Sequence, residues 1–114
     1  MVRFNLESLE SGKVLNFYHL GCKVPKDSIY IGRPNYKWGL KGSKFQNVYS
    51  LDKYSREVAI SKYRTWLWNE IKIGHITIQE LANMKGRDLV CYCKPKECHG
   101  DVLLKAIEWA DSQI

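Results

Sequence analysis

Cys98, His99, Gly100 and Asp101 place a thiol, an imidazole and a carboxylate within one turn of chain. A thiol beside an imidazole can act as a nucleophile with its base, and a nearby carboxylate can orient or relay the proton. Cys98, His99 and Asp101 are therefore the candidate catalytic residues. The run before them, Asp88-Leu89-Val90-Cys91-Tyr92-Cys93, is apolar through its centre, as expected of a strand buried on both faces. Lys94-Pro95-Lys96-Glu97 then reads as a tight loop. A helix is expected to open at Cys98-His99, because Val102, Leu103, Ala106, Ile107 and Ala110 fall on one face. Such a helix start offers unpaired backbone N–H groups and partial positive charge. Lys94 and Lys96 add to that charge, and Gly100 allows close approach of a ligand to the backbone. In this field the Cys98 thiol is expected to have a lowered pKa. The simpler reading of Asp101 is a first-turn acid that complements the helix dipole.

The same stretch has a competing metal reading. Cys91, Cys93, Cys98 and His99 form a C-x-C-x4-C-H cluster, and strand alternation turns Cys91 and Cys93 to one face. Structural zinc favours three cysteines and a histidine. Against it, the C-x2-C spacing with a distant second pair is missing, and adjacent Cys98 and His99 are awkward partners for one ion. No cofactor is expected on the leading reading, with zinc as the alternative.

A second candidate region is Tyr30-Ile31-Gly32-Arg33-Pro34, where a short strand ends in glycine, arginine and proline. Gly32 permits a turn or a close backbone approach, and Pro34 stiffens the exit. Arg33 on that frame suits bidentate recognition of a phosphate or carboxylate. Lys37 and Trp38 follow; an aromatic beside a lysine can stack on a base while the lysine meets phosphate. Arg56 and Arg64, eight apart on the next helix, read as one solvated face, with Arg56 close enough to the helix's amino end to touch an anion. The candidate binding residues are thus Tyr30, Gly32, Arg33, Lys37, Trp38, Arg56 and Gly100.

The elements that carry these residues are read as follows. Residues 13–20 and 28–31 read as strands, and residues 34–49 as a long loop. A helix is predicted from Ser55 to Ile71, with Ser55 as N-cap and Ile60, Tyr63, Leu67 and Ile71 on one stripe. A short helix follows from Thr77, where Thr77 and Glu80 have capping-box spacing, and ends near Gly86. The order strand, strand, helix, helix, strand, helix predicts a small layered α/β sheet, at least partly parallel, flanked by helices. The 114 residues fit one domain, residues 1–114, able to bury about two-thirds of the unfolded surface.

Composition narrows the partners. Eighteen Lys and Arg against twelve Asp and Glu leave a net charge of +6, which favours anionic partners. No run approaches the roughly 20 apolar residues of a spanning helix, so no membrane is expected. Met1–Glu7 lacks the apolar stretch of a signal peptide. A cytoplasmic location is expected, with the four cysteines reduced.

Taken together, Tyr30–Pro34, Lys37-Trp38-Gly39, Ser55-Arg56-Glu57 with Tyr63 and Leu67, Gly86–Cys93, and Cys98–Asp101 with Leu103 and Leu104 form a recognisable pattern. It resembles the domain-of-unknown-function 4326 family of phage and bacterial proteins, from about Tyr30 onward. Where that family carries an Asn-Pro-Phe-like turn after its Trp-Gly, this chain reads Leu40-Lys41-Gly42. The resemblance implies a phage-type protein acting in a host cytoplasm and supplies no reaction. The leading expectation is a small enzyme-like domain directed at a nucleotide or nucleic acid. The alternatives are a non-catalytic module that binds nucleic acid or a host protein, and a zinc-stabilised binding domain.

Overall fold

The computed structural model describes residues 12–114. The reading of Met1–Glu7 as free of a signal peptide lies outside them. The chain runs β1 (Val14–Asn16), β2 (Ile29–Tyr30), α1 (Arg56–Lys72), α2 (Ile78–Ala82), β3 (Leu89–Cys91) and α3 (His99–Ser112). The sheet order is β1-β3-β2 and both pairings are parallel. This is the small α/β layering expected from the sequence. No helix among the described residues is long and apolar enough to cross a membrane.

The apolar run of β3 takes the central position and is buried throughout. Val14 and Ile29 both pair with Leu89, while Asn16 pairs with Cys91 and Tyr30 with Val90. Because all three strands point the same way, the segments that leave them emerge at one edge: Phe17-Tyr18, Gly32-Arg33 and Tyr92-Cys93. That edge is where open α/β sheets hold their ligands.

The first strand is shorter than the predicted 13–20. Asn16 ends it, since its Oδ1 accepts from the N–H groups of Tyr18 (2.8 Å) and His19 (3.3 Å). Its Nδ2 donates to the carbonyls of Tyr92 (3.1 Å) and Lys94 (2.8 Å). A side chain that supplies its own turn competes with the ladder, so residues 17–20 fold back. The same asparagine ties β1 to the loop after β3.

Helix capping follows the sequence closely. Ser55 accepts from the Val58 N–H, and Thr77 with Glu80 forms a reciprocal capping box. α3 packs against both α1 and α2. Its face of Val102, Leu103, Ala106, Ile107 and Ala110 is buried, and it meets Tyr63 and Leu67 of α1 in the core. The loop at 34–49 contains a 3-10 turn at Tyr36–Trp38 that closes on Gly39. Asn35 and Leu40 bridge its two sides.

Candidate functional site

At the carboxyl edge of the sheet lies a cavity of about 510 Å³. Its floor holds Cys91, Cys93, Cys98 and His99, and its rim holds Arg33 and Arg56. The volume is within the roughly 300–1,000 Å³ usual for small-molecule sites. The early arginine and the late Cys-His pair thus meet in one cleft. Tyr18, Tyr49 and Tyr92 supply much of the apolar wall.

The floor is built by two adjacent elements. Cys91 closes β3, Cys98 is the N-cap of α3, and His99 is the first residue of that helix. Cys98 is 1% exposed and its Sγ accepts the Gly100 N–H at 3.4 Å. His99 is 5% exposed and its Nε2 donates to the Ile31 carbonyl at 2.9 Å. That bond requires a proton on Nε2 in the neutral ring and leaves the Nδ1 lone pair free. Nδ1 faces Cys98 Sγ at 3.6 Å and Cys91 Sγ at 3.8 Å. The Tyr63 ring meets the imidazole edge to face at 4.8 Å, and the Tyr63 hydroxyl donates to the Phe45 carbonyl at 2.8 Å. Burial holds the His99 pKa below its ordinary value, against the opposing effect of the Ile31 carbonyl.

The thiols do not titrate as the sequence predicts. Cys98 was the expected low-pKa thiol, yet bonding to Cys91 and Cys93, then burial, push it up. The lowered thiol is Cys93, whose sulfur is bonded by Cys91 and Cys98 and also faces the Arg56 guanidinium. Cys91 is raised to about 11, chiefly because it bonds to the Cys93 sulfur. The α3 dipole acts on Cys98, but a buried sulfur surrounded by two others gains more by keeping its proton.

Asp101 does not line the cleft. Its carboxylate accepts the Cys98 N–H at 3.0 Å and pairs with Lys94 at 2.8 Å. It faces a smaller hollow beside Arg64 and Lys105. The structure therefore gives it the capping role, and separates it from the proposed Cys98–His99–Asp101 group. Gly100 does not line the cleft either. A Cβ there would stand 2.9 Å from the side chains of Ile31 and Val14, so the glycine lets α3 sit down on the strands.

The rim assembles from distant segments. Arg33 is exposed, and its Nε donates to the Asn47 carbonyl at 2.9 Å. Arg56 Nη1 donates to the Glu97 carbonyl at 2.9 Å. Neither guanidinium forms an ion pair with a carboxylate among the described residues. Tyr30 does not reach the cavity. Its hydroxyl bonds to the Arg33 carbonyl and to the Tyr92 hydroxyl (2.7 Å), which fixes the loop that carries Arg33. Gly32 does line the cleft, and any Cβ on it would strike the Tyr30 ring.

Lys37 and Trp38 lie outside the cleft. Trp38 packs edge to face on Phe17, with ring centroids 6.0 Å apart, and Lys37 Nζ lies 5.6 Å from the Trp38 ring centroid. Sequence reasoning missed Asn47, Tyr49 and Tyr92, which complete the rim and wall. Asn47 and Tyr49 sit in the long loop without a local pattern, while Tyr92 was read only as part of a buried strand.

Comparison with known proteins adds kinship without a reaction. An uncharacterized 12.4 kDa protein encoded in the nrdA-td intergenic region of Enterobacteria phage T4 is 40% identical over 63 residues. That alignment covers 55% of this chain and 58% of the phage protein, so the chain spans under two thirds of that relative's length. No solved structure matches. A family model, described as a domain of unknown function (DUF4326), matches residues 16–109. Every residue lining the cleft, from Tyr18 to His99, falls within that span, and the protein belongs to the DUF4326 family.

Proposed function

We propose that the cleft binds a phosphate-bearing ligand of the nucleotide class, either a free nucleotide or a nucleic-acid end. One observation carries this reading: Arg33 and Arg56, from segments 23 residues apart, each anchored to a backbone carbonyl, line one concave cavity that also presents Tyr18, Tyr49 and Tyr92. A guanidinium held by one N–H to a fixed carbonyl keeps its remaining N–H groups for a ligand oxygen. Tyr18 and Tyr92, with ring centroids 5.3 Å apart, offer an aromatic surface for a base. The net charge of +6 favours the encounter with an anion.

This reading is recognition first. Asp101 faces away from the cleft, and Cys98, on its floor, is 1% exposed and caps α3. His99 and Cys93 line the floor and are the groups a bound ligand would meet.

The test is calorimetric titration of the full chain with a nucleoside 5′-monophosphate and with a 5′-phosphorylated single-stranded oligonucleotide. Binding of either probe is expected, and Arg33→Ala or Arg56→Ala should weaken it at least tenfold. Comparable affinity for both probes assigns the site to free nucleotides, whereas binding of the oligonucleotide alone assigns it to nucleic-acid ends. Failure of both probes, or affinities unchanged in both variants, overturns the proposal.

A further inference from the structure

We infer that the floor of the cleft is a zinc-class metal site, with Cys91, Cys98 and His99 as ligands and Cys93 as the fourth. This goes beyond the ligand reading above and does not depend on it. The donor atoms of Cys91, Cys98 and His99 all lie within 4.8 Å of one another. A tetrahedral ion with Zn–S of about 2.3 Å and Zn–N of about 2.0 Å sets sulfur about 3.5 Å from nitrogen. The two Sγ–Nδ1 separations, 3.6 and 3.8 Å, lie close to that spacing. Adjacent residues achieve it because they point differently. Cys98, in an extended conformation, turns its sulfur back over the helix start, while His99 reaches the same point from the first turn.

Three further features suit an ion. His99 is a buried polar side chain whose Nδ1 meets only sulfur atoms. Thiols are weak donors, so an almost fully buried imidazole nitrogen is left poorly satisfied. The Nε2–H bond to the Ile31 carbonyl is the outer contact that orients metal-bound histidines and fixes their tautomer. The Gly100 N–H directed at Cys98 Sγ suits a thiolate ligand in the same way. Cys93, two residues from Cys91 and on the lining of the same cleft, is the residue placed to complete the set. An ion here would clamp the end of β3 to the start of α3.

The experiment uses the full chain, reduced and stripped with a chelator, then titrated with Co²⁺. The expected result is one ion bound per chain, with thiolate-to-cobalt charge transfer and the strong visible bands of a tetrahedral centre, displaced by Zn²⁺. Cys98→Ser is the informative variant, because serine caps a helix at least as well as cysteine while binding zinc poorly. It should keep its circular dichroism and lose at least tenfold in metal affinity, as should His99→Ala. Cys93→Ser should retain binding with shifted visible bands. A folded wild-type chain without thiolate charge transfer at one equivalent overturns the site. Wild-type affinity in Cys98→Ser also overturns it, and an unchanged cobalt spectrum in Cys93→Ser overturns the four-ligand assignment. None of these readouts involves a nucleotide, so the two proposals fail separately.

Discussion

The floor and the rim of the cleft are made in opposite ways. The floor comes from nine consecutive residues, Cys91 to His99, delivered by one strand, one loop and one helix start. Its sulfur and nitrogen atoms are mostly buried, and their positions depend on the packing of α3 against the sheet and α1. The rim comes from three separate stretches around Arg33, Asn47–Tyr49 and Arg56. Its arginines are each tied down by one hydrogen bond to a carbonyl. Buried donors at the base and more exposed charge at the mouth suit the anion site proposed above. Substitutions in the floor should therefore register in stability, and those in the rim in binding.

The largest effect should come from Tyr63→Ala. Tyr63 is fully buried, supports the His99 ring and satisfies the Phe45 carbonyl. Its removal should cost about 3–5 kcal/mol, read by chemical denaturation. Loss of less than about 1 kcal/mol would show that the floor is not supported from α1.

The double variant Arg33→Ala/Arg56→Ala should do the reverse. Each charge-assisted bond lost to a bound phosphate is worth about 1.5–3 kcal/mol, while unfolding stability should move by no more than about 0.5 kcal/mol. Calorimetry on the same samples as the denaturation measurement separates the two quantities. A stability loss matching the loss of binding would erase the distinction between floor and rim.

Gly100→Ala tests the packing role of that glycine. Its new methyl would meet Val14 and Ile31 at about 2.9 Å, and overpacking of this kind costs about 1–3 kcal/mol. Because Gly100 does not line the cleft, ligand affinity of the folded fraction should be unchanged.

The smallest effect is a pH dependence outside the cleft. Burial alone would raise the Glu80 carboxyl, but the Thr77 N–H and the Lys44 ammonium outweigh it and hold the pKa below the ordinary 4.5. The unfolded chain therefore binds the proton more readily. This contribution is present above pH 4.5 and is lost as the pH falls through the folded value. Glu80 and Lys44 are partly exposed, so the pair is worth no more than a few tenths of a kcal/mol. Glu80→Gln should flatten the acid limb of the stability curve by that amount, as measured by thermal unfolding across pH.

What could be read in advance follows the same division. The order of elements, the Ser55 cap, the Thr77–Glu80 box and the central burial of β3 were legible because they depend on local chemistry or a continuous apolar run. So was the floor, since its cysteine and histidine side chains lie close together in sequence. The strand limits were not, because β1 ends in a turn supplied by the Asn16 side chain, which is itself held by carbonyls 76 and 78 positions away. Nor was the true place of the lowered thiol. Spacing showed that Cys98 starts a helix, but not that two other sulfurs crowd it. Trp38 was read as a stacking platform from its lysine neighbours, while the fold turns it onto Phe17. Asn47 holds Arg33 through its backbone carbonyl, an atom every residue possesses and no sequence pattern marks.

The most direct test of the cleft as an anion site is an NMR titration that follows the arginine side-chain Nε–Hε signals as a nucleoside 5′-monophosphate is added. The account predicts that the Arg33 and Arg56 signals shift together, with one common dissociation constant. Shifts confined to other arginines, such as Arg64 and Arg87, with both cleft arginines silent, would contradict it.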